Sequence, residues 1–311
     1  MMNSHADMPL KEAPAYFGMP PGRWAQIEGV RTWYTEVGFG APVLLVHGGH
    51  AGSPFSLGSF NWAECFASLD PSKRVLAMDR IGQGFTDNPT PLDGYTLQVS
   101  VRHLIAFLET LDIGPVHLVG HSRGGYVVCR AALERQDLVR SVTLVNSSTL
   151  APGVGTNEVT LGGAPQKLAR ERIEWMFNRY HFNPASTTPE AVEATWHATN
   201  LEKYQALLAE FGAKNLLAAQ VMPQLAHDKH ETLRWLSEGR LQRPVHIIWG
   251  RNDLTARPER GIELFSILRQ HERRTTLSIV EQSGHFPFIE HPEWFNRVLF
   301  GFVEEVENAR Y

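Results

Sequence analysis

The sequence contains little cysteine and no long hydrophobic run. Its 311 residues include two cysteines, Cys65 and Cys129, which excludes a disulfide scaffold or a structural zinc cluster and is typical of a reducing, cytoplasmic environment. No apolar run reaches the roughly 18 residues needed to cross a membrane, so no membrane-spanning helix is predicted. The first residues, Met1 to Lys11, have no basic flank followed by an apolar segment, and we expect no signal peptide.

A strong excess of charge of one sign is also lacking. The chain carries 29 Lys and Arg residues against 33 Asp and Glu residues, which gives a formal net charge of -4 with neutral His. Because no basic stripe is present, binding to a nucleic-acid backbone is not expected. No grouping of His, Cys and Asp has metal-ligand spacing, so neither a metal nor another cofactor is predicted. A chain of this length buries enough surface to hold its core without them.

Apolar runs alternate with helical patterns along most of the chain. The runs that predict buried strands are 42–46, 74–78, 116–120, 142–145, 244–249 and 276–280. Segments with apolar residues mostly three and four apart, or with helix-start signals, predict helices at 95–111, 124–135, 258–270 and 292–308. Strand alternating with helix predicts an α/β fold, with a mostly parallel sheet flanked by helices on both faces.

Three segments depart from this alternation. Residues 148–241 have no buried-strand pattern, and helices are predicted at 166–179, 190–199, 202–217 and 230–239. We interpret this block as a helical lid inserted between two parts of a core domain, 1–147 and 242–311. Residues 1–21 are predicted to form a loose arm, and two short strands are expected within 24–37. Residues 47–69 are predicted to form a loop rich in Gly and Ser.

The strongest chemical signal is Gly120-His121-Ser122-Arg123-Gly124. It directly follows one predicted strand and opens a helix, which is the context of a nucleophile elbow. A sharp turn there holds Ser122 in a strained conformation near the helix N-terminus, where negative charge is favoured. Gly120 and Gly124 leave room for the tight crossing. Ser122 is therefore the predicted nucleophile.

A serine hydroxyl needs a base and an orienting acid, in the chain order Ser, acid, His for this elbow. Asp253 and His285 come just after the last two predicted strands, at the sheet edge where catalytic groups gather. We assign His285 as the proton shuttle and Asp253 as its orienting partner. Other His and Asp residues could be considered for these two roles, but each has another expected position. His117 and His246 are expected inside strands, and His291 is expected to cap the last helix. Asp79 is expected to brace the turn at Gly82 and Gly84, and Asp228 is expected to be exposed to solvent.

An oxyanion requires two backbone donors. One predicted donor is the N–H of Arg123, the residue after the nucleophile. The other comes from the loop at His47-Gly48-Gly49, where we expect the N–H of Gly49 to face a bound carbonyl oxygen.

Together these residues resemble the α/β-hydrolase family over nearly the whole chain, from about Trp24 to Val306. A narrower resemblance is to the meta-cleavage product hydrolases, which cut a carbon–carbon bond in products of extradiol ring opening. The motifs that carry it are the Gly-rich loop reaching Asn61-Trp62, the Gly-Gly end of the elbow, and Glu290-His291-Pro292-Glu293 with Phe295-Asn296. The resemblance implies substrate contacts from Gly48, Asn61, Trp62, His121, Trp196 and Phe286.

The sequence also departs from the pattern of that narrower group. His121 stands where many members have Asn, and Phe286 stands where many have Trp. The lid Arg that grips the substrate carboxylate has no counterpart near Ala194-Thr195-Trp196, and Arg172 or Arg179 is an open alternative.

Aromatic residues are dense in the predicted lid, which favours an aryl or other apolar small-molecule substrate over a sugar or peptide. The expected activity is hydrolysis of a 2-hydroxy-6-oxo-6-aryl-hexa-2,4-dienoate type of product. The alternatives are a carboxylesterase or lactonase using the same three residues, and a ligand receptor without turnover. Related hydrolases are often dimers or larger, so a homo-oligomer is open.

Overall fold

The computed structural model describes residues 16–91, 94–153 and 169–309, and its centre is an eight-stranded sheet. The order across the sheet is β1-β2-β4-β3-β5-β6-β7-β8. The strands are β1 (Gly22–Ile27), β2 (Val30–Val37), β3 (Val43–Val46), β4 (Val75–Met78), β5 (Val116–His121), β6 (Val139–Val145), β7 (Val245–Gly250) and β8 (Thr276–Val280).

Among the eight strands, β2 alone runs opposite to the others. β1 and β2 form a hairpin with Trp24 opposite Trp33, and β2 pairs antiparallel with β4. From β4 across to β8 every pairing is parallel. Every residue of β3, β4, β5 and β7 is buried, as expected for central strands covered on both faces. The carboxyl ends of the parallel strands therefore share one edge.

The helices of the described residues flank this sheet or lie between β6 and β7. They are α1 (Ala63–Ala67), α2 (Leu97–Leu111), α3 (Arg123–Glu134), α4 (Arg170–Tyr180), α5 (Pro189–Thr199), α6 (Glu202–Ala213), α7 (Met222–Ser237), α8 (Pro258–Arg269), α9 (Pro287–Glu290) and α10 (Pro292–Asn308). A π-helical turn, Leu217–Val221, leads directly into α7. We call α4 to α7 the inserted helices.

The α/β fold class predicted from the sequence is confirmed, with apolar runs at the strands and periodic segments at the flanking helices. Two local predictions were wrong. The segment 47–69 is not all loop, because a 3-10 turn at Ser59–Trp62 continues into α1. The last inserted helix begins at Met222 rather than at residue 230, since Pro223 stands in its first turn, where proline is tolerated.

Some predicted segments lie outside the described residues. These include most of the arm predicted at 1–21 and the start of the helix predicted at 166–179. Within the ranges that the structure does describe, no helix is long and apolar enough to span a membrane.

Candidate active site

The turn between β5 and α3 holds Ser122 in an unusual backbone conformation. Its φ is 52° and its ψ is -121°, a region that costs roughly 1–3 kcal/mol for a residue with a side chain. A Cβ at Gly124 would lie 2.4 Å from the Val46 carbonyl oxygen, and one at Gly120 would lie 2.4 Å from the Gly124 carbonyl oxygen. Only glycine allows strand and helix to approach this closely, so the sequence itself fixes the strained turn.

Asp253 and His285 lie in direct contact although they follow different strands. Nδ1 of His285 is 2.6 Å from Oδ2 of Asp253. Oδ1 of Asp253 accepts three further hydrogen bonds of 2.8 Å, from the N–H and hydroxyl of Thr255 and the N–H of Ala256. Burial alone would raise the pKa of Asp253, but His285 and these donors hold that pKa below its usual value. The carboxylate therefore stays charged and fixed.

Asn146, immediately after β6, completes this arrangement. Its Nδ2 donates to Oδ2 of Asp253 at 2.6 Å, and its Oδ1 accepts the N–H of Gly250 at 3.2 Å. Its φ of 45° is left-handed, a conformation that Asn tolerates better than most residues. Asn146 was not predicted as a site residue; an Asn directly after a buried strand was the available signal.

The loop that carries His285 is fastened to the inserted helices. The N–H of His285 donates to the Tyr180 carbonyl at 2.7 Å, and the Tyr180 ring stacks on the imidazole with centroids 4.9 Å apart. The Glu290 carboxylate accepts N–H groups of Phe182 at 2.7 Å and of Gly284 at 2.5 Å. One carboxylate thus joins the end of α4 to the loop that positions His285.

Ser122 and His285 line one cavity of about 640 Å³. No direct hydrogen bond joins the Ser122 hydroxyl to the His285 ring in this structure, and in unliganded sites such contacts are often long. Apolar walls come from the loop after β3 and from α4 and α7; they include Phe55, Trp175, Met176, Tyr180, Met222 and Leu225. The volume and the walls suit a small organic molecule.

The predicted oxyanion donors, Gly49 and Arg123, both belong to residues on the cavity wall. The loop that contains Gly49 is held from behind by Arg80, whose guanidinium donates to the carbonyls of Gly49 at 2.9 Å and Gly48 at 3.3 Å. His47 adds a hydrogen bond from Nδ1 to the Gly48 carbonyl at 2.8 Å, and its Nε2 accepts the N–H of Arg80 at 3.0 Å. Burial, followed by the charge of Arg80, lowers the pKa of His47 to about 3, so the ring is neutral.

Of the six residues that the resemblance implied as substrate contacts, two line the cavity and four do not. His121 and Phe286 line the cavity, whereas Gly48, Asn61, Trp62 and Trp196 do not. His121 is buried and donates from Nε2 to the His285 carbonyl at 2.9 Å. Burial, followed by the charge of His285, lowers the pKa of His121 well below its usual value.

The other four residues have structural contacts. Gly48 lies behind the nucleophile, where a Cβ would be 2.9 Å from the Ser122 Cβ. Asn61 accepts the N–H of Gly58 at 3.2 Å, and Trp62 packs on Phe288 with centroids 4.0 Å apart. Trp196 lies on the outer part of the inserted helices under the Arg170 guanidinium.

The groups considered as alternatives to the three catalytic candidates lie elsewhere. Asp79 braces its turn as predicted, accepting the N–H of Phe85 at 2.7 Å, and His117 and His246 are buried in strands as predicted. His291 stands at the N-cap position of α10, but its ring binds the Gln282 carbonyl rather than the helix. The prediction that Asp228 is solvated was wrong: the side chain is buried on α7 and accepts from Gln224 one turn earlier.

Several cavity residues were missed as site residues, notably His50, Tyr180 and Lys229. Burial, followed by the charge of Arg123, lowers the pKa of His50 to about 3. Of the two alternatives for a carboxylate-binding Arg, Arg172 lines the cavity and Arg179 does not. No local pattern marks a residue of an inserted helix as facing the sheet edge, which explains the omission of Tyr180 and Lys229.

The fold and this site define an α/β hydrolase, and residues 41–292 match the family model described as the alpha/beta hydrolase fold. The chain belongs to that family. It is 26% identical over 284 residues, 88% of this chain and 91% of the relative, to a 2-hydroxy-6-oxononadienedioate/2-hydroxy-6-oxononatrienedioate hydrolase of Paraburkholderia xenovorans (strain LB400). It is 24% identical to a 2-hydroxy-6-oxo-6-(2'-aminophenyl)hexa-2,4-dienoic acid hydrolase of Metapseudomonas resinovorans, over 97% of this chain and 96% of that one.

Solved structures show the same fold. A meta-cleavage product hydrolase from Pseudomonas fluorescens IP01 superposes with a TM-score of 0.73 at 24% identity, covering 91% of this chain and 98% of that one. The chain is therefore a hydrolase of the α/β-hydrolase family that resembles the carbon–carbon bond hydrolases.

Proposed function

We propose that this protein hydrolyses a carbon–carbon bond in a 2-hydroxy-6-oxo-hexa-2,4-dienoate type of ring-fission product, with an aryl or other apolar group at carbon 6. The observation that carries the proposal is the shared cavity: Ser122 and His285 face the same apolar space, and His285 is 2.6 Å from Asp253. The names of the similar curated relatives support this substrate class.

In the proposed reaction the dienol is first converted to its keto form. His285 then removes the proton of Ser122 as the hydroxyl oxygen attacks the carbon-6 carbonyl, and Asp253 stabilises the imidazolium. The N–H groups of Gly49 and Arg123 stabilise the oxyanion. Cleavage of the bond between carbons 5 and 6 releases the hydroxydienoate, which takes up the proton from His285. Water then releases the acid from Ser122.

We also propose that the inserted helices act as a lid over this reaction. They supply the cavity wall opposite Ser122, through Trp175 and Tyr180 of α4 and Met222 of α7. His121 and Phe286 are the proposed substrate contacts from the core. Such a cover excludes water from the oxyanion and supplies the apolar surface that an aryl group needs.

The test is a loss of visible absorbance when the purified protein is mixed with 2-hydroxy-6-oxo-6-phenylhexa-2,4-dienoate. We expect the wild type to bleach the substrate, Ser122→Ala to lose turnover, and the exposed-site control Ser266→Ala to match the wild type. Full activity of a folded Ser122→Ala variant would refute the serine mechanism.

The second candidate is a carboxylesterase or lactonase that forms an acyl-enzyme at Ser122. The observation that favours it is the stretch Ala194-Thr195-Trp196, near which the resemblance expects the carboxylate-gripping Arg: it contains no Arg, and none of its residues lines the cavity. Steady dienoate absorbance together with rapid cleavage of 4-nitrophenyl esters would support this candidate. Tight ligand binding without turnover of either class would support a receptor instead.

A further inference from the structure

The ionisable side chains that line the cavity are mainly basic. The residues that line it include Arg123, Arg172 and Lys229, yet no Asp or Glu side chain lines it within the described parts of the chain. This contrasts with the whole protein, whose formal net charge is -4. A positive cavity in an acidic protein favours entry and binding of an anion.

Arg123 differs from the other two cations in its surroundings, since Arg172 and Lys229 both interact with other groups of the protein. Lys229 donates from Nζ to the Gly153 carbonyl at 2.8 Å, so backbone oxygen already satisfies part of its charge. The Arg123 guanidinium has no ion pair and no hydrogen bond to any residue that the structure describes. Its ionisable neighbours are Arg80, His50 and Tyr180, none of which carries a carboxylate.

A guanidinium in this position has neither a counter-charge nor hydrogen-bond acceptors among the described residues. Arginine keeps its proton in proteins and presents five N–H donors, and a charge that is partly removed from water without a counter-charge is costly. Burial accordingly lowers the pKa of Arg123. A carboxylate accepts two parallel hydrogen bonds from such a fork and restores the missing partner.

We propose that the Arg123 side chain binds a carboxylate of the substrate, next to the nucleophile that the same residue's backbone serves. This inference rests on the proposed function only in taking the cavity as the substrate site. It assigns the anion to the core domain beside Ser122 rather than to the inserted helices, and it makes the substrate class an acyl compound with a free carboxylate.

The test measures equilibrium binding by calorimetry and needs no turnover. The probes are hexa-2,4-dienoate and its uncharged amide, which have the same carbon skeleton. We expect the wild type to prefer the carboxylate by about 10-fold or more, and Arg123→Gln to lose that preference, since a charge-assisted pair contributes about 1.5–3 kcal/mol. Arg123→Lys keeps a point charge and is expected to retain part of it.

The control is Arg102→Gln, which removes the same charge from an exposed site on α2 and is expected to keep the full preference. Thermal unfolding of each variant checks that it is folded, and Arg123→Met is the second variant if Arg123→Gln is not. Equal binding of acid and amide by the wild type would overturn the proposal. A preference that survives in Arg123→Gln but disappears in Arg172→Gln or Lys229→Gln would also overturn it. Because no probe is hydrolysed, loss of the dienoate activity alone leaves this result interpretable.

Discussion

Replacement of Arg80 by Met tests how the oxyanion loop is held. Arg80 is 2% exposed and does not line the cavity, but one of its terminal nitrogens donates to the carbonyls of His47, Gly48 and Gly49 at 3.4, 3.3 and 2.9 Å. The Gly48 carbonyl shares a peptide plane with the Gly49 N–H and points the opposite way. Holding that carbonyl toward Arg80 therefore fixes the orientation of the Gly49 N–H, which we proposed above as an oxyanion donor.

The magnitude follows from these distances. Only the 2.9 Å bond has good length, and one charge-assisted bond contributes about 1.5–3 kcal/mol. Removing the buried charge recovers part of this, because burial and the charge of Arg123 already lower the pKa of Arg80 to about 9. We expect Arg80→Met to lower the free energy of unfolding by about 1–3 kcal/mol.

The catalytic effect should be larger than the effect on stability. Complete loss of one oxyanion donor costs on the order of 10²–10³ in kcat, so a displaced donor is expected to cost about 10- to 100-fold. KM should change little, because Arg80 does not line the cavity. Steady-state kinetics and urea unfolding measure both quantities, with Ser100→Ala as the control that removes only the long 3.4 Å contact to Arg80. A folded Arg80→Met enzyme with wild-type kcat would refute this role.

Three further predictions concern packing, loop position and pH. Gly124→Ala is expected to lower the free energy of unfolding, measured in urea, by more than about 3 kcal/mol, because its Cβ would lie 2.4 Å from the Val46 carbonyl oxygen. The control Gly301→Ala on α10, where open space surrounds the glycine, should be neutral or stabilising. Equal effects of the two substitutions would contradict the argument. Glu290→Gln should lower kcat about 10-fold, because it weakens the hydrogen bonds by which the Glu290 carboxylate joins the end of α4 to the loop that carries His285. An unchanged kcat would show that these hydrogen bonds are not needed to position His285. The folded state lowers the pKa of His47 to about 3, so this ring binds a proton less readily in the folded than in the unfolded chain. His47 alone should therefore lower the free energy of unfolding by about 1.4 kcal/mol per pH unit as the pH falls from about 6.5 toward 3. Other buried histidines, such as His50, add to the total slope, so His47→Gln should have an acid dependence in urea unfolding that is shallower by this amount, and an unchanged slope would refute the assignment.

Local signals account for what the sequence could predict. The buried strands read as uninterrupted apolar runs because both faces of the sheet are covered, as at β3 and β4. The turn at Ser122 was predictable because its glycines are required by contacts within one strand–helix unit. Asp253 and His285 could be proposed because the ends of parallel strands meet at one edge.

The remaining parts of the site depend on contacts between distant segments. Asn146 reaches Asp253, and Glu290 reaches α4, through side chains whose partners have no fixed spacing in sequence. The burial of Asp228 likewise depends on which face of α7 turns inward. Asn61 illustrates the limit of a motif match: the match predicts a substrate role, whereas in the structure its side-chain oxygen accepts the N–H of Gly58 and the residue does not line the cavity.

The hydrogen bonding of Asp253 bears on which residue acts as nucleophile. Five donors surround its two oxygens: His285, Asn146, Ala256, and the N–H and hydroxyl of Thr255. A carboxylate with its lone pairs engaged in this way and its pKa lowered cannot attack a carbonyl without losing those bonds. The same saturation makes it an effective fixed charge for an imidazolium. The reactive oxygen in this cavity is therefore best assigned to Ser122, whose strained turn presents the hydroxyl without such partners among the described residues.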